Sequence, residues 1–155
     1  MFPIGPLVYE VLESFSPIAE ARRVALRSRL DSDTRVRADP QAVRQVLLNV
    51  LDNAVKYGPL GQTVRVAIDH ENGSARIMID DQGPGIPPAD RERIFERFER
   101  LPRERRSAIA GAGIGLAVVR ELVVRMRGRC FIASTDSSDT GARFVIELPA
   151  EEARP

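Results

Sequence analysis

The chain has 155 residues and a formal net charge of +1, with 43% of its residues hydrophobic and 29% charged. This length and composition predict one soluble globular domain that builds its core without disulfides or metal ions. The near-zero charge excludes a whole-protein field that would attract nucleic acid or an anionic membrane, and no apolar run is long enough to span a bilayer.

The first predicted elements are one helix and two short strands. Apolar residues recur at helical spacing over 6–22. Pro17 is expected to bend or end that helix, because proline lacks the N–H of a helical hydrogen bond. Short runs typical of strands follow over 24–30 and 34–37.

A second helix is predicted from its start and stop signals. Asp39 can cap the first turn with its carboxylate, and Pro40 suits the first helical position. The helix is expected to run to about Tyr57, because Gly58 and Pro59 then interrupt it. Its apolar residues share one face, which predicts the side that packs on the core. They are Val43, Val46, Leu47, Val50, Leu51 and Ala54.

A hairpin and a loop follow this helix. The alternating apolar residues of 63–69 and 75–81 predict two paired strands, and Asn72 with Gly73 is typical of the tight turn between them. The glycines and prolines of 83–88 then predict a loop.

The next part of the chain carries two helical segments around a basic stretch. A short helix is expected over 94–98, which contains the aromatic residues Phe95 and Phe98. The stretch 99–112 is basic and has no apolar periodicity. A longer helix resumes near Gly113 and ends at Gly128.

Two final strands are predicted over 129–135 and 142–148. The single cysteine, Cys130, excludes an internal disulfide, and its apolar surroundings predict a buried, inert thiol that fits a reducing cytosol. The complete order of elements favours an α+β fold: a two-layer α/β sandwich with helices on one face of a mixed, mostly antiparallel sheet.

Polar residues of the second helix form a stripe beside the apolar one. Asn49, Asn53 and Lys56 are spaced i, i+4, i+7, and Tyr57 falls between the two stripes. An asparagine oxygen can ligate Mg²⁺, which prefers oxygen ligands, and a lysine ammonium can neutralise phosphate. The pattern fits a polyphosphate site, although a polar rim of the core would explain this helix equally well.

Two glycine-rich segments are further candidates for ligand contacts. At 81–86, DQGPGI ends a strand with a carboxylate that can accept from an exocyclic amine, beside glycines that admit a close ligand. At 111–116, GAGIGL opens a helix whose first N–H groups can bind an anion. It is not a dinucleotide fingerprint, because no βαβ unit surrounds it. A plain loop and a flexible hinge are the alternatives for each segment alone.

Together these motifs resemble the ATP-binding domain of bacterial sensor histidine kinases, which has the Bergerat (GHKL) fold. The family's N box is matched by QVLLNVLDNAVKY at 45–57 and its G1 box by DQGPGI at 81–86. Its F box is matched by IFERF at 94–98 and its G2 box by GAGIGL at 111–116. Four boxes in this order, within about residues 6–149, make a specific match.

The resemblance implies one catalytic and ATP-binding domain over 1–155, with an ATP lid over about 99–112. It implies that Asp81 accepts a hydrogen bond from the adenine amine and that Asn53 ligates Mg²⁺, with Asn49 supporting the metal or phosphate. Further nucleotide contacts are implied for residues of the same boxes and the edge of the lid. These are Lys56, Tyr57, Gly83, Gly85, Ile86, Arg97, Arg100, Gly111, Gly113, Ile114, Gly115 and Leu116.

Within that set, the resemblance implies that Lys56 contacts phosphate and that Gly83 and Gly85 form the floor under base and ribose. The chain departs from the family pattern in the G2 box. Ala112 stands where a hydroxyl residue is commoner, and Ile114 replaces leucine. Either change could loosen nucleotide affinity without abolishing the site.

Three functions are compatible with these boxes: histidine kinase, ATPase of the gyrase or chaperone kind, and degenerate or anti-sigma-like nucleotide-binding module. The related ATPases carry a water-activating glutamate where this chain has Asn49, and an amide cannot accept that proton. We therefore expect the catalytic residues to be those of a kinase, namely Asn49, Asn53 and Lys56. The binding residues of the four boxes disfavour the degenerate module, and the F box favours a sensor kinase.

The chain's one histidine, His70, is predicted to be a solvated turn residue. The resemblance implies that the phosphoacceptor histidine lies on a separate dimerisation and phosphotransfer domain, which is absent here, with a response regulator downstream. ATP and Mg²⁺ are the expected cofactors, and no contact with nucleic acid or membrane is expected. The domain is expected in the cytoplasm, as part of a membrane-anchored sensor kinase.

Overall fold

A computed structural model describes residues 1–30, 33–96, 115–133 and 141–151. Its helices are α1 (Ile4–Ala21), α2 (Pro40–Tyr57) and α3 (Gly115–Arg125), with short 3-10 helices at Pro88–Asp90 and Arg93–Phe95. Its strands are β1 (Phe2–Pro3), β2 (Ala25–Arg29), β3 (Arg35–Val36), β4 (Thr63–Glu71), β5 (Ser74–Asp80), β6 (Arg129–Ala133) and β7 (Arg143–Glu151).

The described strands form one mixed sheet. Its order is β1-β3-β7-β5-β4-β2, and β6 also pairs with β7. The pairing of β2 with β4 is parallel, beginning at Ala25 and Thr63, whereas the other described pairings are antiparallel. The predicted mixed, mostly antiparallel sheet is confirmed.

The core lies between one face of this sheet and the helices. Alternate residues of the central strands point into it because successive side chains of a strand face opposite sides. On β4 and β5 they are Val64, Val66, Ile68, Ala75, Ile77 and Ile79. The apolar stripes of α1, α2 and α3 join the same buried cluster. The predicted two-layer α/β sandwich is therefore confirmed, and no helix in the described ranges is long and apolar enough to cross a membrane.

The signals at the ends of α2 act as predicted. The carboxylate of Asp39 accepts a hydrogen bond from the Gln41 N–H at 2.9 Å, and the Gly58 N–H donates to the Ala54 carbonyl at the other end. Pro17 does not end the helix, because α1 continues through it to Ala21, and the alternative expectation of a bend stays a prediction. Burial of residues before and after Pro17 holds the helix on the core despite the missing N–H.

Two local features differ from the sequence prediction. The strand β1 was not predicted, because two residues carry too little periodicity, and it forms by pairing with β3. His70 is not a turn residue: it is a half-buried member of β4, opposite Ala75 of β5. The ladder extends β4 almost to the turn, which alternation over 63–69 alone did not indicate.

Ion pairs cover the face of the sheet opposite the helices. Glu147 of β7 accepts hydrogen bonds from Arg76 Nη2 at 2.8 Å and from Arg129 Nε at 2.7 Å. Its side chain is 14% exposed, and Arg129, with Arg76, lowers the pKa of this carboxyl.

Glu147→Gln is expected to lower the free energy of unfolding by about 1 kcal/mol at pH 7, because a networked carboxylate is lost. A carboxyl whose pKa is lowered by folding stabilises the protein above its unfolded-state pKa. That contribution disappears as the pH falls through the folded-state pKa. In urea unfolding, the variant and the unmodified chain should therefore differ in free energy of unfolding at pH 7. They should not differ at a pH below the folded-state pKa of Glu147.

Glu151→Gln is the matched control. Its carboxylate lies 3.6 Å from Arg37 and is 65% exposed, so its loss should change stability little at either pH. Equal destabilisation by Glu147→Gln at acid and neutral pH would contradict the ion-pair explanation.

Candidate functional site

The candidate site begins on one side of α2. The apolar face of this helix is buried in the core, whereas Asn49, Asn53, Lys56 and Tyr57 are half-buried at its rim. Their placement follows from helical spacing, since residues three and four apart lie on the same side. The predicted polar stripe is therefore present as a surface beside the core.

Asn49 connects α2 with the start of α3. Its Nδ2 donates to the Gly115 carbonyl at 3.3 Å, and its Oδ1 accepts from Gln45 Nε2 at 2.8 Å. The N box and the end of the G2 box, 66 residues apart, thus meet across this amide. Gly115 itself is exposed, and Leu116 packs against the core.

Lys56 and Asn53 have different surroundings. Lys56 Nζ lies 2.9 Å from Asp52 Oδ2 one turn away, and the two side chains are 38% and 45% exposed, so the ion pair contributes little to stability. The side chain of Asn53 makes no hydrogen bond within the described residues. An amide oxygen is a suitable Mg²⁺ ligand when phosphate oxygens and water complete the shell. The described residues contain no acidic, histidine or cysteine cluster able to hold a metal ion.

Asp81 follows β5 and is held by Ala142, the residue before β7. Its backbone N–H donates to the Ala142 carbonyl at 3.0 Å. Its Oδ1 accepts from the N–H of Gly83 at 2.9 Å and from that of Ala142 at 3.1 Å. Two backbone donors therefore fix the orientation of this carboxylate, which is what an acceptor that reads one edge of a base requires.

The two glycines of the G1 box lie close to other atoms of the chain. A Cβ at Gly83 would lie 3.2 Å from Asp81 Oδ1 and 3.4 Å from the Tyr57 carbonyl oxygen. Gly85 has a φ of 78°, and its Cβ would lie 3.1 Å from the Gly141 carbonyl oxygen. The atoms nearest to these Cβ positions belong to the chain itself, a side-chain oxygen at Gly83 and a backbone oxygen at Gly85, and the expected ligand contact of both glycines stays a prediction.

Gly141 is a site residue that sequence reasoning missed. Its φ is 148°, and a Cβ there would overlap the carbonyl oxygen of Asp81. Only a glycine lets β7 approach closely enough for Ala142 to hold Asp81. No motif marks this position, and only the pairing of β5 with β7 identifies it.

The F box provides a packing anchor. Phe95 is buried and meets Phe144 of β7 edge to face, with ring centroids 5.4 Å apart. The guanidinium of Arg120 on α3 lies 4.2 Å from the Phe95 centroid and donates to Glu92 Oε2 at 2.9 Å. Arg120 was not singled out from the sequence. Nearby, burial raises the pKa of the Cys130 thiol, which agrees with the predicted inert cysteine.

Several predicted site residues lie outside the described residues. They are Arg97, Arg100, Gly111, Gly113 and Ile114, together with Phe98 and the predicted lid over 99–112. Their roles stay predictions. Ile86 lies within the described part, half-buried against the core next to Gly85.

Comparison with known proteins gives consistent matches. The family model described as "Histidine kinase-, DNA gyrase B-, and HSP90-like ATPase" matches residues 38–152. Sensor histidine kinase CusS of Escherichia coli (strain K12) is 35% identical over 150 residues, which is 97% of this chain. The chain spans 30% of the length of CusS.

Solved structures extend these matches to the fold. Mycobacterial sensor histidine kinase MprB is 31% identical with a TM-score of 0.79, and the match covers 94% of this chain and 95% of that one. Full-length ShkA in complex with AMPPNP is also 31% identical, with a TM-score of 0.80. That match covers 99% of this chain and 32% of ShkA.

Proposed function

The chain belongs to the histidine kinase-, DNA gyrase B- and HSP90-like ATPase family, among the sensor histidine kinases. We propose that it binds Mg·ATP and donates the γ-phosphate to a histidine on a separate dimerisation and phosphotransfer domain. The whole of 1–155 would serve as that catalytic domain. A response regulator would be the downstream partner, and the chain would act in the cytoplasm, where ATP is available.

One observation carries the proposal: separate motifs meet along α2. At its end, the Tyr57 backbone packs against Gly83 beside Asp81. Closer to the start of the helix, the Asn49 side chain donates a hydrogen bond to the Gly115 carbonyl. A nucleotide lying along the helix would therefore have a fixed acceptor for its base at one end and amides, Lys56 and a helix start for its phosphates at the other.

Each side chain would have a defined task. Asp81 would accept from the adenine amine, with Gly83, Gly85 and Ile86 beneath base and ribose and Tyr57 packed near the nucleotide. Asn53 would hold Mg²⁺, which supplies charge neutralisation to the phosphates when bound. Asn49 and Lys56 would orient the phosphates. Gly115 and Leu116 would complete this end, together with Arg97, Arg100, Gly111, Gly113 and Ile114 of the remaining boxes and lid.

The chemistry of Asn49 favours a kinase over an ATPase. In the proposed transfer, a neutral imidazole nitrogen attacks the γ-phosphorus, the bond to the β-phosphate oxygen breaks, ADP leaves, and the second ring nitrogen releases its proton to water. The acceptor already carries a lone pair, so orientation and charge neutralisation suffice. Hydrolysis would need a base to deprotonate water, and an amide has no basic pKa in water.

The proposal is tested with radiolabelled Mg·ATP and the full chain, alone and with a histidine-bearing helical hairpin from a related kinase added in trans. We expect nucleotide binding and no labelling of the chain alone, because half-buried His70 lies within the β4–β5 ladder. Acid-labile label is expected on the hairpin histidine.

Three results would contradict the proposal. Acid-labile label on the chain alone that is lost in His70→Ala would make His70 the acceptor. Rapid phosphate release by the chain alone would indicate an ATPase, and binding without transfer to any hairpin would indicate a nucleotide-sensing module.

A further inference from the structure

Gln62, between α2 and β4, is one of two buried polar residues in the described ranges, at 1% exposure. Both ends of its side-chain amide are used. Nε2 donates to the Ala54 carbonyl at 2.9 Å, and Oε1 accepts from the Gln82 N–H at 3.0 Å. Ala54 follows Asn53 and Gln82 follows Asp81, so a single amide joins the residues adjacent to the two proposed ends of the nucleotide site.

A second hydrogen bond strengthens this connection. The ladder between β4 and β5 ends at the pair Arg65 and Asp80. Beyond that pair, the Thr63 N–H donates to Gln82 Oε1 at 2.8 Å. Each glutamine side chain therefore accepts a hydrogen bond from the backbone of the other segment, Gln62 from Gln82 and Gln82 from Thr63. These two bonds connect the segments beyond the end of the backbone ladder.

Gly58 leaves the room that the amide of Gln62 needs. A Cβ at Gly58 would overlap the side-chain nitrogen of Gln62. The backbone of Gly58 has φ −91° and ψ 167°, an extended conformation that any residue adopts. The glycine is therefore required by the side chain of Gln62 and not by the turn.

We propose that Gln62 is a positioning residue that sets the spacing between the Asn53 and Asp81 halves of the nucleotide site. This inference rests on the proposed function of that site. A ligand that bridges two half-sites gains affinity only when their spacing matches its length, because its second contact is then made at high effective concentration. Loss of the Gln62 amide would therefore weaken the binding of ligands that contact both half-sites more than the binding of ligands that contact one.

Gln62→Met tests this by removing both hydrogen bonds at similar side-chain length. We expect the Kd of Mg·ADP to rise at least about 10-fold. The Kd of adenosine, which engages only the Asp81 half, should stay within about 2-fold, as measured by NMR titration. Amide hydrogen exchange at Gln82 should accelerate without ligand, since the N–H loses its buried acceptor.

Gln41→Met, an exposed glutamine at the start of α2, is the matched control and should change neither Kd. If Gln62 had a purely structural role, Gln62→Met would weaken the binding of ADP and of adenosine by the same factor, and that result would overturn the inference. Unchanged ADP binding by Gln62→Met would also overturn it. Failure of the unmodified chain to bind ADP would overturn the proposed function itself.

A second pair of variants covers the case in which Gln62→Met folds poorly. Gly58→Ala should weaken ADP as Gln62→Met does, because its methyl group displaces the amide. In the Gln62→Ala background the same Gly58→Ala change should add no further loss, because nothing remains to be displaced. Additive losses would contradict the assignment.

Discussion

Substitution of Asn53 by alanine is expected to lower phosphate transfer to a hairpin histidine by about 10²–10³-fold, the usual cost of removing one electrostatic contact to a reacting group. Asn53 lies half-buried on the rim of α2 and its side chain makes no hydrogen bond within the described residues, so its replacement should leave folding intact. The proposed Mg²⁺ ligand would be lost. Initial rates of label transfer with saturating hairpin measure the effect.

The controls for Asn53→Ala separate ligand chemistry from packing. Asn53→Asp keeps an oxygen at the same place and should retain more transfer than Asn53→Ala. Gln41→Ala, an exposed change on the same helix, should transfer at the unmodified rate. Undiminished transfer by Asn53→Ala would remove Asn53 from the proposed site.

Asp81→Asn is expected to weaken Mg·ADP binding by about 1–3 kcal/mol, because an amide donor would then face the adenine amine. The amide oxygen can still accept from the N–H groups of Gly83 and Ala142, which hold Oδ1 at 2.9 and 3.1 Å. Calorimetry should therefore record a loss of affinity at nearly unchanged melting temperature.

A change of base gives the matched comparison for Asp81. Hypoxanthine carries an acceptor where adenine carries its amine, so Asp81→Asn should narrow or reverse the preference for ADP over the corresponding inosine nucleotide. Unchanged affinity for both nucleotides would refute the role of Asp81 in reading the base.

Much of the fold was predictable because its signals are local. The apolar stripe of α2, its Asp39 start and its Gly58 end lie within one stretch of chain, and the turn at Asn72 and Gly73 is encoded by adjacent residues. The same holds for the box motifs, whose order alone indicated the family. The site residues themselves were named from that resemblance, and the roles of Asn53 and Asp81 stay proposals.

The remaining features depend on segments that are distant in the chain. Nothing near Gly141 indicates that Asp81 will lie against it, and nothing near Gln62 indicates that Ala54 and Gln82 will share its amide. His70 looked like a turn residue until pairing with β5 extended its strand, and α1 continued through Pro17 because the core holds both sides of it. Periodicity and turn chemistry were thus determined by the sequence alone, because they act between near neighbours. The orientation of the Asp81 side chain and the two hydrogen bonds of the Gln62 amide were decided by the tertiary structure, because these contacts join residues that only the folded sheet brings together.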